Sequence, residues 1–208
     1  MKTAKLIIAA LLLSVCAVAV AQKSDAKQAF ESELVAKNAQ VNSIRCRFTQ
    51  TRALAVLAKP VKKAGTFCFL APDNMLLRFD DGDYIKMTRE WFEMNTAGKA
   101  AATKVASNPM LKSLNSILSA CVAGDFETVS RGFAVAYEQS AKEWRVTLAP
   151  QRGKAAAKLA RIVIVFDRAD MSLNLLKMEE KSGDYTEYAF ADKLFNVPID
   201  AQIFNVAK

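Results

Sequence analysis

Apolar and polar positions along this chain change period three times, and each change marks an element boundary. After Ser24, Ala26, Phe30, Leu34 and Val41 recur near helical spacing with charges between them, which predicts an amphipathic helix over 25–41. At Ser43 the period shortens to two. Ile44, Cys46, Phe48 and Gln50 alternate with Arg45, Arg47 and Thr49, the pattern of a half-buried strand over 43–52. Further strands are predicted at 63–70, 74–80, 83–88 and 90–95, divided by Ala71-Pro72-Asp73, Asp81-Gly82 and Thr88-Arg89, all residues suited to tight antiparallel turns. Residues 53–61 read as a partly apolar connection, and 96–107 as a small-residue, lysine-containing link.

Asn108-Pro109 opens a second predicted helix with Met110, Leu111, Leu114, Ile117, Leu118 and Cys121 on one face and Gly124 closing it. Beyond it the period returns to two, with strands expected at 126–139, 143–149, 159–167, 172–181 and 184–191, a basic loop over 150–158 and a hairpin turn at Ser182-Gly183-Asp184. So many antiparallel strands with two amphipathic helices predict an α+β, mainly β fold. Its expected form is a strongly curved sheet of about ten or eleven strands, an incomplete barrel, with the helices covering its concave apolar side.

The N-terminus changes the picture of where the chain works. Lys2 and Lys5 precede an apolar and small run from Leu6 to Ala21, ending in Ala19-Val20-Ala21, which reads as a signal peptide over 1–21 cleaved after Ala21. The run is shorter than the roughly 20 apolar residues that a membrane span needs. Val15 before Cys16 argues against lipidation there. One domain over 22–208, exported to the periplasm, is expected. Losing Lys2 and Lys5 lowers the net charge from +8 to +6, and the remaining charges are scattered, which points away from nucleic acid. Of the cysteines, Cys46, Cys68 and Cys121 follow the leader. One disulfide is the most they allow, between Cys46 and Cys68 on neighbouring predicted strands, but Cys46 shares a face with Phe48 while Cys68 opposes Phe67 and Phe69, so three buried thiols are the expectation.

Histidine is absent, which removes histidine-based nucleophile systems and histidine metal sites, and no glycine-rich phosphate loop is present. No catalytic residue, metal or cofactor is expected. The acidic clusters Asp80, Asp81, Asp83 and Glu179, Glu180 flank turns, where carboxylates are solvated or bond the local backbone rather than hydrolyse glycosides. The candidate site is instead apolar. Phe48, Phe67, Phe69, Met75, Leu77 and Phe79 fall on alternating positions of the first strands, followed by Ile85, Met87 and Phe92, with Leu114 and Leu118 on the covering helix. Each alone is ordinary core. Together on a curved sheet they form an adaptable lining for flexible acyl chains.

Three motifs in order carry a family resemblance: Phe48-Thr49-Gln50 in the first strand, Phe69-Leu70-Ala71-Pro72-Asp73-Asn74-Met75 in a hairpin, and Asn196-Val197-Pro198-Ile199-Asp200 followed by Phe204. The chain resembles the periplasmic lipoprotein carriers of the LolA family. That resemblance implies a monomeric shield for lipoprotein acyl chains, loaded by an inner-membrane ATP-driven extraction complex and unloaded to an outer-membrane acceptor. It departs from the family at Ala71, where an arginine often precedes the proline and bonds the lid helices. Arg45, Arg47 or Arg78 would have to replace it, or stand on a solvated outer face. The departure leaves a carrier of another lipid, glycolipid or polyene as an alternative. A non-enzymatic interaction or stress-sensor domain with a filled core is the other.

Overall fold

Alternation at nearly every strand lets one face of a single sheet turn apolar from end to end. A computed structural model describes residues 25–107, 116–121, 126, 129, 132–151 and 153–206. The expected leader with its cleavage position, and Leu114, lie outside the described residues. Helix α1 spans residues 25–38, three short of the predicted end. The strands are β1 (Ser43–Ala53), β2 (Val61–Leu70), β3 (Asn74–Phe79), β4 (Tyr84–Met87), β5 (Trp91–Thr96) and β6 (Lys99–Lys104). They continue with β7 (Phe133–Gln139), β8 (Glu143–Pro150), β9 (Leu159–Asp167), β10 (Leu173–Glu180) and β11 (Tyr185–Phe195).

All eleven strands form one antiparallel sheet in the order β6-β5-β4-β3-β2-β1-β11-β10-β9-β8-β7. Two meanders, β1–β6 and β7–β11, are thus joined by the pairing of β1 with β11. β6 and β7 are the two edges and do not pair with each other, so the sheet is an incomplete barrel, as its alternation predicted.

Three expectations need correction. The link at 96–107 holds β6 and a 3-10 turn at Val105–Ser107; β6 escapes an alternation test because its residues are small or cationic and mostly exposed. The predicted strand over 126–139 begins only at Phe133. Phe126 and Val129 are helical and buried; their spacing of three, read as strand, is a helix face packed into the core. The loop at 150–158 contains a short helix, Gly153–Lys158, whose Lys-Ala-Ala-Ala-Lys run has high helix propensity.

Register assigns the faces. Phe48 stands opposite Gly65 on β2 and Phe190 on β11, Phe69 opposite Met75, Leu77 opposite Ile85, and Met87 opposite Phe92. On the other meander Trp144 faces Phe166, and Ile164 faces Val146 and Leu176, which in turn faces Tyr188. Directly opposed residues share a face, so these form one continuous inner face.

Helix α1 closes the β7–β11 half of that face. The Phe30 ring lies 5.2–5.6 Å from the rings of Phe126, Tyr137, Trp144 and Phe166, and Leu34 is fully buried beside it. The Trp144 indole donates to Glu33 Oε2 at 2.8 Å, and Arg168 approaches the same carboxylate at 3.7 Å, fixing the helix rotation.

The C-terminal segment straps the outer face. Asn196, at φ 54, accepts from the Asn42 amide at 2.8 Å; Ser43 Oγ donates to Val197 O at 2.6 Å and Arg45 to Pro198 O at 3.0 Å. Asp200 caps a 3-10 turn, Ala201–Phe204, by accepting from the Gln202 amide, and Phe204 is buried against Cys68 and Leu76. The Asn196-to-Phe204 motif is therefore a strap across the back of the sheet.

Candidate functional site

The site is built from the inner face of β1–β5. All nine sheet residues singled out from the sequence lie on that face by register. They differ in exposure. Phe48, Phe69, Met75, Phe79 and Met87 are buried, whereas Phe67, Leu77, Ile85 and Phe92 are half-buried, and Met94 beside Ile85 is exposed. Burial therefore declines from β1 towards the β6 edge, and an apolar wall there meets solvent.

Its floor is aromatic. Phe48 meets the Phe79 ring edge-on at 5.1 Å, and Phe67 meets Phe190 at 5.4 Å. Phe69, Met75 and Met87 pack as one cluster with Ile44, Ala71, Phe67 and Phe92 around it. Leu118, from the helical residues 116–121, packs against this cluster and also against the α1 core, so it bridges the closed and open halves.

Sequence periodicity did not single out Phe190, Tyr188 or Lys193, which join this face through β11. Gln50 is buried and donates to the Tyr188 hydroxyl at 2.7 Å. Lys193, in the bulged stretch opposite Cys46, donates to Ser172 Oγ at 2.7 Å and to Asn174 Oδ1, and burial pulls its ammonium below the usual lysine range. Only the pairing of β1 with β11, more than a hundred residues apart in the chain, brings them here, and local pattern carries no signal of it.

Nucleophilic groups near the site are quenched. Cys46, Cys68 and Cys121 are buried and free. Burial pushes Cys46 and Cys121 up to about 12, which keeps both as neutral thiols. Cys46 opposes Phe67 on the inner face, while Cys68 lies on the outer face under Phe204, so their side chains point apart.

The acidic clusters lie at the hairpin ends of the sheet, where cations hold them. Asp80 pairs with Arg47 at 2.7 Å, and Lys63 bridges Asp81 and Asp83 at 2.7 and 2.8 Å. Glu179 accepts from Arg161 and Lys177, and Glu180 pairs with Lys158 at 3.6 Å. Among the described residues no group of His, Cys, Asp or Glu is arranged to hold a metal ion.

The three arginines considered as substitutes for a lid latch all stand on the outer face: Arg45 opposes Cys68, and Arg47 and Arg78 both oppose Thr66. They cannot reach α1 through the sheet. Glu33 on α1 itself, received by Trp144, supplies the tie in this chain.

Comparison with known proteins agrees with this geometry. No curated protein matches the sequence. Among solved structures, a lipoprotein-sorting protein domain from Vibrio parahaemolyticus, described as a putative outer membrane one, superposes with a TM-score of 0.50 at 11% identity, covering 85% of this chain and 94% of that one. An uncharacterized conserved protein from Thermus thermophilus reaches 0.52 at 9% identity, covering 86% and 93%. MucB reaches 0.51 at 11% identity, covering 90% of this chain and 63% of its own. These likenesses establish the fold. The family model described as "Outer membrane lipoprotein carrier protein LolA-like" matches residues 21–191, α1 and most of the sheet, and the chain therefore belongs to that LolA-like family.

Proposed function

We propose that this protein carries acyl chains across the periplasm, holding them against the half-buried wall of Phe67, Leu77, Ile85 and Phe92 with the helix bearing Leu118 as cover. The observation that carries this reading is the asymmetry of the inner face. Its β7–β11 half is filled by α1, while its β2–β5 half presents continuous apolar side chains that are only partly covered. Burying a chain there is favourable by roughly 0.8 kcal/mol per methylene, so about ten methylenes supply roughly 8 kcal/mol before ordering costs. Phenylalanine and methionine linings adapt to different chain lengths, which suits a carrier that must also release.

In this reading the cargo is the lipid-modified end of a lipoprotein. The donor is an ATP-driven extraction complex in the inner membrane, and the recipient is an acceptor at the outer membrane. The chain acts without a catalytic group or cofactor of its own. A fluorescent fatty-acid analogue tests the wall directly. The native protein binds it with enhanced emission, I85N and F92S each weaken binding about tenfold or more, and outer-face L194S leaves it unchanged. Equal binding by all four proteins excludes the wall as the site.

A second reading has its own observation. The tight packing of Phe30 and Leu34 shows that half of the inner face is already a filled core, as an interaction or stress-sensor domain requires. That reading predicts no uptake of the probe at all.

A further inference from the structure

The end of the sheet that carries the β1–β2 connection has a composition that the carrier role does not use. Val56 is 88% exposed, Leu57 44% and Val61 46%, so three of the six most exposed large hydrophobics among the described residues fall within one short stretch. This apolar tip is presented on a fixed base. The Leu57 amide closes a turn onto Leu54 O at 2.8 Å, and the Ala55 amide donates to Asp184 Oδ1 at 2.6 Å, tying the loop to the β10–β11 hairpin.

Cations surround the tip. Arg52, Lys59 and Lys62 flank it in sequence and Lys181 lies on the hairpin that anchors it; all four are exposed, and none pairs with a carboxylate among the described residues. At the same end Asp80, Asp81, Asp83 and Glu180 share Arg47, Lys63 and Lys158, and Asp184 accepts from the Ala55 amide, which leaves two negative charges against the four unpaired cations. The surplus there is positive.

We infer that this loop is a membrane-contact element, seating Val56 and Leu57 in the interfacial layer of an anionic bilayer while Arg52, Lys59, Lys62 and Lys181 meet its head groups. A projecting tip of two or three aliphatic side chains is too small for a stable protein interface, which buries about 1,200 Å² or more. Shallow insertion of an apolar tip inside a basic collar instead fits the two forces that bind proteins to lipid surfaces. The inference is independent of what the inner face carries.

Co-sedimentation with vesicles tests it, using mixed phosphatidylglycerol–phosphatidylcholine vesicles against pure phosphatidylcholine. The native protein partitions onto the anionic vesicles and is released by salt. K59Q and K62Q each weaken partitioning about fivefold, and V56D/L57D weakens it about tenfold or more. An indole placed at the tip by V56W shifts its emission to the blue on the anionic vesicles only. These positions are exposed, so the variants keep the native melting curve. Absence of vesicle binding by the native protein at low salt overturns the inference, as does V56D/L57D binding as well as the native chain. A dimer that V56D/L57D dissolves, with no vesicle binding, also overturns it and assigns the tip to self-association.

Discussion

Gly65 shows how closely the inner face is fitted. A Cβ at this position lies 2.3 Å from the carbonyl oxygen of Arg78 and 2.7 Å from the Phe48 ring, so the strand leaves room for an aromatic side chain only where it has none of its own. Replacing Gly65 by alanine forces both the β2–β3 ladder and the Phe48 ring to move. Urea denaturation is expected to show a loss of about 1–3 kcal/mol; an unchanged midpoint means that ladder and ring both shift at no cost. The cysteines give a second residue-scale test. With Cys46 and Cys121 raised to about 12 by burial, neither reacts appreciably with a disulfide reagent at mildly alkaline pH while the protein is folded. Both react once denaturant exposes them, and fast reaction in the native state contradicts their burial.

At the scale of elements, α1 holds the closed half of the molecule through Phe30. Truncation to alanine removes four ring contacts and leaves a cavity, for which about 3–5 kcal/mol of destabilisation is expected in chemical denaturation. The β3–β4 hairpin contributes a pH dependence. Hydrogen bonding by Lys63, and then by the Ala97 amide, holds the Asp83 carboxyl below its usual range. Its stabilisation is therefore present above the unfolded carboxylate value near pH 4 and is lost as pH falls through the lower folded value. D83N should be less stable than the native chain at neutral pH and converge with it in acid; a constant gap across that range removes Asp83 as the cause.

What was legible in the sequence divides at this same scale. The first five strands and α1 follow from period two and period near four in their apolar positions, although on β2 and β3 Cys68 and Leu76 are buried on the outer face as well. β6 was missed because an edge strand of Lys-Ala-Ala-Ala-Thr-Lys has no apolar side to detect. Phe126 and Val129 were misread because a few apolar residues fit either period. The face shared by Phe48, Phe67, Leu77, Ile85 and Phe92 followed from alternation, whereas Tyr188, Phe190 and Lys193 needed the long-range β1–β11 register. The strap motif was recognisable as a pattern before its work on the outer face was.

For the whole molecule, one sheet performs two tasks because its two meanders meet at a single strand pair. The β7–β11 half packs α1 and supplies the core; the β1–β5 half keeps an apolar wall facing solvent. A fold with a complete core in one half tolerates incompleteness in the other, which a reversible carrier requires. Native mass spectrometry of the protein purified without detergent from the envelope of its own host tests this account most directly. The account predicts a bound acylated species, lost in I85N and F92S but retained in L194S. An unliganded mass for the native protein, together with no uptake of a fluorescent fatty acid, contradicts it and leaves a packed interaction domain in its place.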